Sequence, residues 1–210
     1  DRYDYMSADD AVAPRLLDAT ATEYRGNSKT NEEARFNYLF LPGGYASDAS
    51  VYDLNVQCVE DGWVTSADEN GFFGCSSSFP LVTYEENILT LAEAYIHKND
   101  FSNSLQALNS YRSFLNGGGY FGASYSANFA HLYDPYASTD FEAGGMENSG
   151  GTREDALLNE IIEERYVTFI GQLEQFNDVR RTHNAIGLTP VTGTALPQRF
   201  YYPQSEINTN

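Results

Sequence analysis

The sequence predicts a mainly α protein of packed helices joined by long irregular loops, and three observations predict it. Two stretches on either side of Asn99-Asp100 repeat apolar residues at helical spacing. A longer stretch from Thr152 carries a broad apolar stripe. Elsewhere Gly, Ser, Asp and aromatic residues follow one another without a period.

Taken in order, residues 1–80 form an irregular, loop-rich region. Within it, residues 8–24 read as a weak helix around Leu16 and Leu17, and residues 32–41 as a short helix or strand ended by Pro42-Gly43-Gly44. The helix pair spans residues 81–116. Thr83 followed by Glu86 is a capping signature, and Tyr84, Ile88, Leu91, Ala92 and Tyr95 then share one helical face to about His97. A second helix from about Ser102 aligns Leu105, Leu108, Tyr111 and Leu115, and Gly117-Gly118-Gly119 stops it. Residues 117–151 read as a Gly- and aromatic-rich loop containing no Lys or Arg. Residues 152–182 read as one long helix, capped by Thr152 with Glu154 and Asp155 in its first turn. Its stripe runs from Leu158 to Phe176 and is wide enough to need packing on more than one side. Residues 183–210 form an extended, Pro-punctuated tail.

Composition excludes some function classes. With 12 Lys+Arg against 30 Asp+Glu the net charge is −18, which repels phosphate backbones and anionic membrane surfaces, so no nucleic-acid partner is expected. No stretch has the apolar length of a membrane span. Sixteen Tyr, 13 Phe and one Trp, with few cations, suit ligands that offer apolar faces and hydroxyls, such as sugars, or peptides.

Catalytic motifs are missing. There is no GxSxG, no phosphate-binding Gly-rich loop and no HExxH, and His97, His131 and His183 each stand alone. Many carboxylates do not select a catalytic pair, so no enzyme activity and no cofactor is expected. Cys58 and Cys75 have no further Cys or nearby His to complete a zinc set; they are either a disulfide or two separate thiols, and no metal is expected. Asp68-Glu69-Asn70-Gly71 lacks the remaining liganding positions of an EF-hand. Asp178, Arg180 and Arg181 read as the capped, ion-paired end of a helix.

The stretch AEAYIHKNDFSNSLQALNSY, residues 92–111, looks like a tetratricopeptide unit, two antiparallel helices closed through small residues. One such unit cannot bury its own apolar face and needs neighbours. Three segments in order, FPLVTYEENILTLAEAY, LLNEIIEERYVTFIGQLEQFNDVRRT and LPQRFYYPQSEINTN, resemble the C-terminal half of the SusD/RagB-like outer-membrane lipoproteins of Bacteroidetes. The chain departs from the larger branch of that family in having Gly171-Gln172 where an EG-x-R motif is expected.

That resemblance implies a fold of tetratricopeptide-like helical repeats, of which this is the C-terminal portion. It implies a place on the extracellular face of the outer membrane, held only through a lipid anchor outside this chain. It implies non-catalytic binding of glycans or other nutrients for import through a partner TonB-dependent, SusC-like transporter. The alternatives are a peptide-binding member of the same uptake class and a helical-repeat scaffold that binds only a protein partner. An exported setting also favours the Cys58–Cys75 disulfide.

Aromatics in loops are the candidate ligand contacts, because the C–H face of a sugar packs on a flat ring. Trp63 offers the largest face; Tyr45, Tyr52, Phe72 and Phe73 follow, then Tyr120, Tyr125 and Tyr133.

Overall fold

The structure is a computed structural model, and it describes residues 8–42, 52–62, 68–190 and 193–199. It is mainly α. Among these residues the helices are α1 (Val12–Leu17), α2 (Glu33–Leu39), α3 (Tyr84–His97), α4 (Phe101–Asn116), α5 (Ala123–Asn128), α6 (Arg153–Thr168) and α7 (Leu173–Arg181). Four short strands are added: β1 (Thr30–Asn31) pairs antiparallel with β4 (Leu132–Tyr133), and β2 (Phe40–Pro42) with β3 (Tyr52–Leu54).

The α3–α4 pair forms as its spacing predicts. Thr83 Oγ1 accepts the Glu86 amide at 3.1 Å, and Asp100 Oδ1 accepts that of Asn103 at 3.2 Å. Each bond satisfies an amide that the first turn leaves without an intrahelical partner. Only Lys98, Asn99 and Asp100 join the helices, so they lie against each other as antiparallel neighbours. Small residues let them close: Ser104 Oγ donates to the Ala92 carbonyl at 2.8 Å. α4 ends at Gly117, and Gly118 takes φ +77°.

α6 packs against both α3 and α4 and is the central element. Thr152 and Asp155 form a reciprocal capping box at its start. Leu157, Ile161 and the following Phe169 join Leu89, Leu108, Tyr111 and Leu115 in one core cluster. Tyr166, Val167 and Ile170 join Leu16, Leu17, Leu39 and Phe40 in a second. The wide stripe is thus used on two sides.

Three expectations need correction. The weak helix over residues 8–24 is confined to Val12–Leu17, because the Asp18 carboxylate takes the Thr20 amide at 2.8 Å and turns the chain. The segment 117–151 is no open loop: it holds α5, β4 and a 3-10 turn at Ser138–Asp140, and buries Phe121, Tyr125, Tyr133, Tyr136 and Phe141. The long helix is two helices. Gly171 takes φ +78°, a left-handed conformation that breaks the run after Thr168, and α7 restarts at Leu173. There the end of α7 is held as the sequence suggests. Asp178 accepts Arg165 Nε and Arg181 Nε, each at 2.7 Å, and Arg181 also reaches Glu93 on α3.

An ionic cluster lies between the N-terminal segment and α6. Arg25 contacts Glu160 and Glu163 at 2.8 Å, Glu164 at 2.9 Å, and Glu32. Arg35 contacts Glu32 and Glu164 at 2.6 Å, and the Tyr133 hydroxyl donates to Glu32 at 2.6 Å. Only Glu163 of these carboxylates reaches solvent appreciably. Burial opposes ionisation of Glu164, but Arg25 and Arg35 hold its carboxyl down at about 2. Burial, reinforced by Glu147, Glu163 and Glu164, pushes Glu160 up to about 8 against the pull of Arg25.

Candidate functional site

A cleft of about 160 Å³ opens where five segments meet. Its lining is Tyr38 from α2, Phe72, Ser78 and Pro80 from the loop before α3, Thr83 and Glu85 from the start of α3, Tyr120 after α4, and Thr168 and Gln172 at the α6–α7 break.

Local chemistry places each wall. The Phe72 amide donates to the Tyr38 carbonyl at 3.0 Å, using one of the acceptors that the end of α2 leaves free. The Phe73 amide donates to the Asn55 carbonyl at 3.0 Å, and Asn55 Nδ2 donates to the Asn37 carbonyl at 2.7 Å and the Tyr125 hydroxyl at 2.9 Å. The loop is therefore fixed to α2 and α5. A Cys58–Cys75 disulfide closes it, with Cα atoms 5.5 Å apart. Gly171 completes the wall: a Cβ there would stand 2.7 Å from the Phe73 ring, so only glycine lets the α6–α7 turn approach.

The floor is Tyr120, whose hydroxyl donates to the Thr168 carbonyl at 2.9 Å. Arg35 lies beneath it, its Cζ 5.9 Å from the ring centroid. The rings meet at right angles: Tyr38 is 5.7 Å from Phe72 at 88° and 6.0 Å from Tyr120 at 87°. Burial, then Glu69, Tyr125 and Glu85, push the Tyr38 hydroxyl up to about 12. Burial also raises Tyr120 strongly, with Tyr38 and Glu85 adding to it. Both hydroxyls stay protonated; that of Tyr120 is engaged by Thr168, and that of Tyr38 can donate to a ligand. Ser78, Thr83, Glu85 and Gln172 supply polar groups around the rings. The arrangement can pack apolar faces and hydrogen-bond hydroxyls or amines.

The sequence candidates divide. Phe72 lines the cleft. Phe73 backs it, half-buried, 4.9 Å from the Phe72 ring and against Gly171. Tyr52 is not a loop contact: it is 8% exposed, its hydroxyl donates to Asp18 at 2.7 Å, and it meets Phe36 edge-on, so it is core. Tyr125 and Tyr133 are buried with their hydroxyls engaged, whereas Tyr120 is the floor. Tyr45 and Trp63 lie outside the described residues. Tyr38, Glu85, Thr168 and Gln172 were not singled out, and no spacing could have found them, because they come from separate segments.

Two other features are weaker sites. A hollow of about 340 Å³ lies between α7 and the tail, lined by Val179, Arg180, His183, Leu188, Leu196 and Pro197 among others; among the described residues no Tyr, Phe or Trp lines it. Cys58, Glu60 and Cys75 are the grouping of potential metal ligands among the described residues, but sulfurs bonded to each other are not thiolate donors. The Asp68–Gly71 turn is structural: Glu69 accepts the Ser124 amide at 2.9 Å, and Asn70 Oδ1 that of Val59 at 2.7 Å.

No helix among the described residues is long and apolar enough to cross a membrane. No protein-family model, curated protein or solved structure matches the chain.

Proposed function

We propose that the chain is a non-catalytic nutrient-binding module of a SusD/RagB-like uptake protein, with α3 and α4 as a tetratricopeptide-like unit stacked on α6. In this reading it holds a glycan on the extracellular face of the outer membrane for a TonB-dependent, SusC-like transporter. The observation that carries the reading is the open cleft walled by Tyr38, Phe72 and Tyr120 with hydroxyl and amide groups at its rim. Among the described residues Glu85 is the one carboxylate in that lining, and this favours binding over glycoside hydrolysis, which uses two.

The test is calorimetric titration of an oligosaccharide panel into the chain and into Phe72→Ala. A lost ring contact is worth about 1 kcal/mol, so affinity drops roughly fivefold to tenfold. Melting of the variant reports any loss of fold separately. Binding of peptides alone moves the reading to a peptide-capturing member of the class; silence towards both panels ends it.

A second reading, docking of a protein partner, is favoured by the segment before α3. Phe79, Leu81 and Val82 are 69%, 83% and 89% exposed, an apolar run that water does not favour. Under this reading Leu81→Glu abolishes co-purification of the transporter and leaves sugar binding intact.

A further inference from the structure

We propose that the cleft selects a protonated amine, and, resting on the nutrient-binding reading, that its ligand is a deacetylated amino-sugar oligosaccharide. The shape of the aromatic wall is the first argument. A neutral pyranose packs its C–H face on a flat ring. Here Phe72 and Tyr120 both stand at right angles to Tyr38, within 6.0 Å, and form a corner. Rings at right angles around one small volume turn faces and edges towards it, and a compact cation is drawn to the faces.

Charge is the second argument. Glu85 stands at the rim, half-buried, and among the described residues no side chain hydrogen-bonds or ion-pairs with it. Among the described residues no Lys, Arg or His lines the cleft. The nearest cation below the floor, Arg35, is already matched by Glu32 and Glu164 at 2.6 Å. The start of α3 carries about half a positive charge from its dipole, and Glu85 and Glu86 in its first turn exceed that with two full negative charges. An ammonium group entering the corner therefore meets one free carboxylate and three ring systems. Ser78, Thr83 and Gln172 remain for the hydroxyls of the sugar that carries it.

The experiment is calorimetric titration of the full chain with three tetrasaccharides at mildly acidic pH: the glucosamine, N-acetylglucosamine and glucose oligomers. The glucosamine tetramer binds about tenfold tighter than the other two, the advantage expected of a cation in an aromatic corner beside a carboxylate. Glu85→Gln removes that advantage, so that the glucosamine tetramer binds no tighter than the neutral tetramers do to the same variant. Glu86→Gln, on the next position of the same turn, keeps it, and melting curves confirm that both variants fold. Equal binding of all three tetramers, or an advantage that survives Glu85→Gln, overturns the amine assignment and leaves the nutrient-binding reading standing. Tighter binding of a lysine-rich peptide than of the glucosamine tetramer overturns the sugar assignment. Silence towards every oligosaccharide overturns the amino-sugar assignment, and silence towards peptides as well overturns the nutrient-binding reading.

Discussion

Glu160 makes a prediction that depends on one buried proton. Its side chain is 6% exposed and lies 2.8 Å from Arg25, which Glu32, Glu163 and Glu164 also contact. Arg35 adds one more positive charge, so four carboxylates face two guanidiniums. Full ionisation would leave negative charge in excess, and only Glu163 among the four reaches water that could screen it. Burial, together with the neighbouring carboxylates, therefore raises Glu160 from 4.5 to about 8. A carboxyl whose folded pKa stands above its unfolded value stabilises the fold while it carries its proton. That contribution is complete below pH 4.5 and is lost as the pH climbs to about 8. The span corresponds to on the order of 5 kcal/mol, or roughly 10–20 °C in melting temperature for a chain of this size.

Glu160→Gln keeps the shape and an acceptor for Arg25 but cannot ionise. Thermal unfolding of both proteins, followed by circular dichroism in steps across that pH range, isolates the effect, because changes from the three histidines are common to the two curves and cancel in their difference. The wild-type protein loses melting temperature relative to Glu160→Gln as pH rises, and the gap is widest at the alkaline end. Parallel curves, or a variant less stable than the wild type at high pH, would refute the assignment of the proton to Glu160.

Three further outcomes follow from the packing. Gly171→Ala combines a left-handed backbone with a Cβ 2.7 Å from Phe73 and lowers stability by about 1–3 kcal/mol in urea unfolding. Cys58→Ser with Cys75→Ser opens a loop whose ends are 17 positions apart; stability falls by about 3 kcal/mol in the chain-entropy account, and the wild type shows the same loss on adding reductant. Leu108→Ala truncates a fully buried α4 side chain at a cost of about 2–5 kcal/mol, read from the denaturant midpoint with the slope unchanged.

The helix pair is legible in the sequence because its signals are local. Thr83, the apolar spacing and the glycines after Leu115 each act within a turn of their own position. The break between α6 and α7 is not legible, because Phe169, Ile170 and Leu173 continue the apolar spacing through it and the constraint on Gly171 comes from Phe73, nearly a hundred positions earlier. The ionic cluster is hidden for a similar reason. Glu160, Glu163 and Glu164 read as the polar face of an exposed helix until Arg25 and Arg35 arrive from the N-terminal segment. Tyr52 was misplaced because a tyrosine in an irregular stretch gives no sign that Asp18 will take its hydroxyl. Of the cleft, only Phe72 and Tyr120 could be named, since aromatics stand out singly while polar partners such as Glu85 and Gln172 do not.

The immobility of the cleft floor has a consequence for discrimination. Tyr120 is held at its hydroxyl by the Thr168 carbonyl and over its ring by the Arg35 guanidinium, which is itself paired with two carboxylates. Such a surface yields little to an intruding group. A guest one methylene too bulky is turned away instead of being accommodated, and a guest of the right outline loses little freedom to reshaping its host. Under the binding proposal, selectivity is a matter of stiffness as much as of which groups line the walls.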